Sequence, residues 1–229
     1  MLGPYGSVLL RTEAVSSSRI EQLSASARAI ATVETGVGGT GGNAEVIVAN
    51  ARAMQSAIAA AGSLDEAAIL ETHRILMQDD QPSIAGKWRV EQNWIGPGNA
   101  GPRLASFVPP AHERVPALMA DLVAFMHRAD LPVIALVALA HAQFETIHPF
   151  IDGNGRTGRT LMHAILRDRG LTLSLIHISR TSLLSLRSRI RMLLAKNTAP
   201  TQRRLLKITG ARFLPTATGK SCTASPCSP

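Results

Sequence analysis

The chain has 229 residues, of which 45% are apolar, 17% charged and 3% aromatic. A chain of this size buries roughly 70% of its unfolded surface, so it can form one substantial domain without a disulfide or metal staple. No stretch approaches the roughly 18 apolar residues of a membrane span, and the first residues lack the pattern of a secretory signal. These features predict a cytoplasmic protein that does not cross a membrane.

The net charge of +8 is unevenly distributed along the chain. Residues 1–168 hold thirteen Lys and Arg residues and all sixteen acidic residues, whereas residues 169–229 hold eleven basic residues and no acidic one. The high isoelectric point therefore belongs to a tail and says little about the main domain. Both cysteines, Cys222 and Cys227, lie in the tail, and neither is expected to support the core.

The N-terminal part of the chain has helical patterns separated by a glycine-rich connection. Apolar spacing predicts a first helix over residues 13–31. Residues 33–43 contain five glycines and predict a flexible linker. An alanine-rich amphipathic helix follows over residues 44–61, with Gly62 as its C-terminal stop.

The middle of the chain predicts one more helix and then a hairpin. Ser63 and Glu66 form a capping box for a helix that runs to about Gln78. The pattern then becomes extended over residues 88–95. Residues 96–103 are rich in turn-forming residues, and the pattern is extended again over residues 104–108. This alternation predicts a β-hairpin flap.

Helical patterns resume after the flap. They predict a helix over residues 115–127, a buried helix over residues 132–146 that Asp130 caps, and a last helix over residues 156–169 that ends at Gly170. The expected fold is all-α with one β-hairpin.

The most informative segment is the loop between the last two helices. Residues 148–159 read His-Pro-Phe-Ile-Asp-Gly-Asn-Gly-Arg-Thr-Gly-Arg. Residues 152–156 begin a helix, where free backbone N–H groups and the helix dipole favour an anion. Gly153 and Gly155 carry no Cβ, so the chain can wrap closely around phosphate oxygens.

The other side chains of the loop suit phosphate chemistry. Asn154 can donate its amide to phosphate oxygens, and Arg156 and Arg159 are spaced to grip further phosphates from one side of the helix. Asp152 supplies a carboxylate oxygen of the kind that Mg²⁺ prefers. His148 has an ordinary pKa near 6.5, which suits a general base.

This loop resembles the signature of the Fic-domain family, His-x-Phe-x-(Asp/Glu)-Gly-Asn-Gly-Arg-x-x-Arg, with every specified position filled. The wider resemblance covers about residues 10–170, including residues 86–89 and 107–110 of the flap. It implies a Fic-type helical bundle with one β-hairpin flap. It also implies three parts: an inhibitory helix and linker at 1–43, the Fic core at 44–170, and a basic tail of uncertain origin at 171–229.

The resemblance implies a protein adenylyltransferase, which transfers AMP from Mg²⁺-ATP to a Ser, Thr or Tyr hydroxyl of a target protein. By similarity, His148 deprotonates the hydroxyl and Asp152 holds Mg²⁺. The flap pins the target segment by edge-strand pairing. The implied nucleotide-binding residues are Gly153, Asn154, Gly155, Arg156, Thr157, Gly158 and Arg159.

A shorter motif precedes the core. Residues 17–22, Ser-Ser-Arg-Ile-Glu-Gln, resemble the inhibitory (Ser/Thr)-x-x-x-Glu-(Gly/Asn) motif of one class of this family. The resemblance implies that Ser17 and Glu21 are autoinhibitory and that Glu21 pairs with Arg159. Gln22 departs from the pattern, which has Gly or Asn at this position.

Alternatives stay open at this stage. The same site could remove AMP or transfer another phosphate-containing group, and a non-catalytic regulator that binds nucleotide or nucleic acid is a second class. Self-modification and a homodimer are compatible with the sequence. The tail is read as a solvated basic appendage, a nucleic-acid-binding extension, or non-native coding sequence, because residues 173–179 resemble the translation of a transposon-end adapter. Many members of the family continue into further helices after the core, and nothing after Gly170 has that pattern.

Overall fold

The computed structural model describes residues 4–36, 42–96, 103, 105–171 and 212–213. Within these ranges the protein is almost entirely helical, as predicted. No described helix is both long and apolar enough to cross a membrane. The helices are α1 (Pro4–Ile20), α2 (Ala27–Thr35), α3 (Asn43–Ala59), α4 (Glu66–Met77), α5 (Val115–Met126), α6 (Val133–Ile147) and α7 (Asn154–Asp168).

The core surrounds α7, the helix that follows the predicted phosphate loop. One face of α7 packs on α6 and another on α3, and twelve of its fifteen residues are buried. The main apolar cluster joins α5, α6 and α7, and Phe144, Ile147 and Phe150 are at most 1% exposed within it. A helix that is buried on several sides holds its N-terminus in a fixed place, which is where the loop lies.

The predicted helix over residues 13–31 is wrong, because two helices occupy this region. α1 ends at Ile20, and α2 begins at Ala27 with Ser26 as its cap. Gln22 adopts a left-handed conformation with φ 63°, and the N–H of Leu23 donates to the Ser18 carbonyl over 3.0 Å. This is the closing turn of a helix C-terminus.

Two predicted helix caps are also wrong. Ser63 and Gly62 lie in a short 3₁₀ turn, and Asp65 caps α4 by accepting a bond from the N–H of Ala68 over 2.8 Å. Asp130 does not cap α6. It instead accepts two bonds from Arg128, one from Nε to Oδ1 at 2.9 Å and one from Nη2 to Oδ2 at 2.5 Å.

The predicted hairpin is present only as a single bridge in the described residues. Ile95 and Phe107 exchange two backbone hydrogen bonds of 2.9 and 3.0 Å in antiparallel geometry. Strand β1 (Phe107–Val108) pairs further with β2 (Arg212–Phe213) from the tail. The chain near Arg89 forms no strand, because its N–H bonds to the Pro149 carbonyl at 2.9 Å instead. All other predictions for the tail fall outside the described residues.

Candidate active site

A cavity of about 520 Å³ opens at the N-terminus of α7. Its walls come from four places: the turn after α1, the start of α3, the loop after α4 and the predicted phosphate loop. Its lining residues are Glu21, Leu23, Gly42, Asn43, Val46, Asp80, His148, Ile151, Asp152, Gly153, Asn154, Gly155 and Arg156. The structure thus brings the predicted base, metal ligand and helix N-terminus to one cavity.

The loop before α7 is shaped by Gly153 and Asn154. Gly153 has φ 74°, and a β-carbon on it would lie 2.9 Å from the Met77 sulfur, so both conformation and space require glycine. The Asn154 amide accepts from the Phe150 N–H at 2.9 Å and donates to the Phe150 carbonyl at 2.8 Å. These two bonds hold the loop closed, and a contact of this side chain with phosphate stays a prediction. The backbone N–H groups of the first turn of α7 have no partner within the helix, and the residues of this turn line the cavity.

His73 supports the same loop from α4. Its ring stacks on Phe150 with centroids 3.6 Å apart and planes 1° from parallel. Its Nδ1 accepts from the Gly86 N–H at 3.0 Å, so the proton lies on Nε2, which donates to the Asp152 carbonyl at 3.1 Å. Burial lowers the pKa of His73 to about 4, which keeps the ring neutral at cellular pH.

The Asp152 carboxylate projects into the cavity and is held at both oxygens. The N–H of Gly153 donates to Oδ1 over 2.6 Å, and the Gln81 amide donates to Oδ2 over 2.9 Å. Each oxygen keeps a further lone pair. Mg²⁺ binds through one or two carboxylates and completes its shell with phosphate and water oxygens, so this exposed carboxylate fits it. Among the described residues, no group of three or more His, Cys, Asp and Glu side chains forms a cage of protein ligands.

Arg156 provides a second observation that fits an anion. The residue is 5% exposed, and its Nη1 is buried without a hydrogen-bond partner in the described structure. Its Nη2 donates to the Met77 sulfur at 3.6 Å. Burial lowers the pKa of Arg156, which Asp152 and Glu21 oppose. A buried cation with an unused donor beside a helix N-terminus is an anion-binding arrangement.

Glu21 lies beside this helix N-terminus, close to Gly155 and Arg159. Its Oε1 accepts a bond of 2.8 Å from Arg159 Nη2, and a β-carbon on Gly155 would overlap this oxygen. Arg159 is 8% exposed and also donates to the Ser17 hydroxyl at 2.8 Å and the Ser17 carbonyl at 3.2 Å. The contact expected from the inhibitory motif is therefore present in the geometry.

His148 ends α6 in a left-handed conformation, with φ 50° and ψ 62°. Burial and the charge of Arg89 lower the pKa of His148 to about 4. The Glu145 carbonyl and the Asp152 and Glu21 carboxylates raise this pKa and offset part of the decrease. The imidazole is consequently neutral at cellular pH and able to accept a proton. A bound polyphosphate adds negative charge nearby and would raise this pKa.

Three residues of the predicted nucleotide-binding set do not line the cavity: Thr157, Gly158 and Arg159, the last of which contacts the lining residue Glu21. Thr157 is fully buried, and Gly158 packs against α6, where a β-carbon would lie 2.8 Å from Glu145 Oε1 and 3.0 Å from the Phe144 ring. Gln81 and Arg89 were not predicted as parts of the site. No local pattern marks Gln81, which lies 71 residues before the carboxylate that it contacts.

An almost entirely helical fold places a histidine, a carboxylate and a helix N-terminus around one cavity, which is a candidate phosphate-binding site. The sequence profile of the Fic/DOC family matches residues 63–166, a little under half of the chain.

Individual relatives agree with this assignment. The chain is 35% identical over 111 residues to protein adenylyltransferase fic-1 of Caenorhabditis briggsae, covering 47% of this chain and 20% of that protein. It is 35% identical over 105 residues to protein adenylyltransferase Fic of Drosophila erecta, covering 44% of this chain and 19% of that protein. The chain thus spans about a fifth of the length of the curated relatives it matches.

Solved structures share the fold. A Fic-domain-containing signaling protein of Bacteroides thetaiotaomicron superposes with a TM-score of 0.59 at 22% identity, covering 74% of this chain and 69% of that one. Fic-1 of C. elegans superposes with a TM-score of 0.57 at 20% identity, covering 92% of this chain and 65% of that one.

Proposed function

We propose that the protein is an autoinhibited protein adenylyltransferase that transfers AMP from ATP to a hydroxyl side chain. The hydroxyl oxygen bonds to the α-phosphorus of ATP, the bond from that phosphorus to the bridging oxygen breaks, and pyrophosphate leaves. The hydroxyl proton passes to His148. The observation that carries the proposal is the neutral imidazole of His148 at the edge of a cavity that also contains an unused arginine donor and a helix N-terminus.

The proposal gives a separate role to each of the charged and polar groups at the start of α7. The N–H groups at the start of α7 and the guanidinium of Arg156 bind the phosphates, and Arg159 joins them once it is released from Glu21. Asp152 would hold Mg²⁺, which would supply charge neutralisation when bound. The Mg²⁺ requirement remains a prediction, as do nucleotide contacts by Asn154, Thr157 and Gly158.

Glu21 is the inhibitory residue in this proposal, because its carboxylate neutralises Arg159 and fills the space beside Gly155. The helix that precedes it docks on α3 through apolar contacts of Leu10 and Ala14 with Met54 and through polar contacts. Asn50 donates to the Ala14 carbonyl at 3.1 Å and the Ser18 hydroxyl at 3.2 Å. Polar contacts of this kind can be exchanged for water. Keeping 99% of molecules closed needs about 2.7 kcal/mol, the size of one or two charge-assisted hydrogen bonds.

The proposal is tested by labelling with ATP that carries ³²P at the α-phosphate. We expect Glu21→Gly to raise self-labelling in Mg²⁺ by up to about 100-fold, the factor that a 99% closed population implies. His148→Ala in the same background removes the label. Transfer of a γ-label instead would identify a kinase, and no α-label in either form would refute AMP transfer.

Glu34 offers a matched control for the inhibitory role. It is also an ion-paired glutamate, since Arg11 Nε donates to its Oε1 at 2.9 Å, but it does not line the cavity. Glu34→Gly should leave labelling unchanged. Equal activation by both substitutions would show that loosening α1, and not emptying the anion position, controls the rate.

The partner in this proposal is a protein that presents a Ser, Thr or Tyr hydroxyl, and self-modification is the first case to assay. Edge pairing of a target segment with the flap stays a prediction, because β1 pairs with β2 in this structure. A homodimer and a cytoplasmic location also stay predictions.

A further inference from the structure

Arg89 is the largest of the fully buried side chains in the part of the chain that the structure describes, with 2% of its surface exposed. All of the hydrogen-bond acceptors identified for its guanidinium are backbone carbonyls. Nε donates to His148 at 2.9 Å, and Nη2 donates to Pro110 at 2.5 Å and to Ile147 at 3.4 Å. Nη1 donates to Glu91 at 2.9 Å. Burying a guanidinium is costly, so its surroundings must use its donors well.

Three consecutive carbonyls accept bonds from this one residue. Two of them, Ile147 and His148, bond to the guanidinium, and the third, Pro149, accepts from the Arg89 backbone N–H at 2.9 Å. These carbonyls lie at the C-terminus of α6, where carbonyls lack helical partners and a cation is favoured. The remaining two acceptors belong to the chain on either side of the flap.

The backbone at His148 needs such support. A non-glycine residue in the left-handed region is disfavoured, and a residue that precedes proline is pushed toward extended conformations. His148 meets both conditions, with φ 50° and Pro149 next in the chain. Strained backbone of this kind persists where the surrounding structure determines it strongly.

We propose that Arg89 is a positioning residue that fixes the backbone of His148, and with it the imidazole, while tying the base of the flap to the same point. The inference rests on the proposed AMP transfer, in which His148 is the base. Arg89 does not line the cavity and touches no reacting atom, so it acts through His148. A change in the position of the flap would therefore move the His148 imidazole.

The test uses Arg89→Lys and Arg89→Gln in the uninhibited Glu21→Gly background. Both variants lose the fork that bonds several carbonyls, and we expect kcat to fall about 10- to 100-fold, since small misplacement of a catalytic group has effects of this size. The Kd for ATP should stay within about twofold, because the phosphate-binding groups are intact. An unchanged kcat in both folded variants would overturn the proposal.

The effect of the Arg89 charge on His148 can be separated from its effect on geometry by titrating the imidazole. Arg89→Gln removes a positive charge that lowers the pKa of His148, so its imidazole titration followed by NMR should move to higher pH. Arg89→Lys keeps the charge and should leave the titration closer to its original place. No movement in Arg89→Gln would contradict the contact. The titration does not need AMP transfer, so an inactive parent with the predicted movement refutes the proposed function and leaves the role of Arg89 standing.

Arg169 is a matched control in the same chain. Its Nη2 donates to the carbonyls of Met126 and Arg128 at 2.9 and 3.0 Å, at the end of α5 and away from the cavity. Arg169→Gln should lower the melting temperature without changing kcat. If it lowers kcat as much as Arg89→Gln does, or if neither Arg89 variant folds at 10 °C, the effect belongs to the fold as a whole and the positioning role is wrong.

Discussion

Under the proposed autoinhibition, replacing Gln22 by glycine should stabilise the turn that places Glu21 at the cavity. The residue follows Glu21 directly and has φ 63°. A side chain in this region costs about 1–2 kcal/mol, and glycine avoids that cost. The greater freedom of glycine in an undocked turn offsets about 0.5–1 kcal/mol of the gain. The net stabilisation of the closed turn in Gln22→Gly is therefore about 0.5–1 kcal/mol.

This free energy translates into a rate when opening limits AMP transfer. A change of about 0.5–1 kcal/mol alters the open population roughly 2- to 5-fold, so basal α-labelling should fall by that factor in Gln22→Gly. Gln22→Asn should give a smaller decrease, because asparagine tolerates the left-handed region better than glutamine does. Initial rates at saturating ATP, with equal amounts of folded protein, measure the effect.

A double-mutant cycle separates the turn from other effects of the substitution. In the Glu21→Gly background the closed state no longer blocks the anion position, so adding Gln22→Gly should change the rate by less than about 1.5-fold. A basal rate that rises in Gln22→Gly, or an equal decrease in both backgrounds, would refute the reasoning.

Three further predictions concern the loop and its support. Because the pKa of His73 is lowered to about 4 in the folded state, the unfolded state binds more protons below its ordinary pKa of 6.5. Stability should therefore fall by up to about 3 kcal/mol as pH drops from 6.5 to 4, and His73→Gln should flatten this dependence in urea titrations. Phe150→Ala should cost about 3–5 kcal/mol of unfolding free energy, since the ring is fully buried, and a loss below 1 kcal/mol would contradict its packing role. Gln81→Ala should raise the Mg²⁺ concentration for half-maximal labelling about tenfold by freeing Asp152, and an unchanged requirement would argue against that support.

The phosphate loop was predictable because its chemistry is local. Residue types within a few positions of His148 specify a base, a carboxylate and a helix N-terminus, and the structure gathers them around one cavity. Contributions from distant segments had no such pattern. His73 and Arg89 act on backbone groups 79 and 59 residues away, and a buried histidine or arginine has no periodic signal that names its partner.

The errors in the helix boundaries have a similar origin. Ser63 and Asp65 are both good capping residues two positions apart, and only packing decides that Asp65 accepts the bond. The chain has no proline or glycine near Gln22, so helical spacing seemed continuous from residue 13 to residue 31. The break forms where Glu21 turns to meet Arg159, a tertiary contact that no propensity reports.

The separation of Glu21 and Arg159 along the chain has a consequence for biosynthesis. The two residues are 138 positions apart, and the glutamate is translated first. At roughly 5–20 residues per second, the ribosome adds the arginine about 7–28 seconds later. With the roles proposed above, Glu21 is already present in every nascent polypeptide when the catalytic pocket first forms. Newly synthesised molecules are therefore inhibited from the moment they fold.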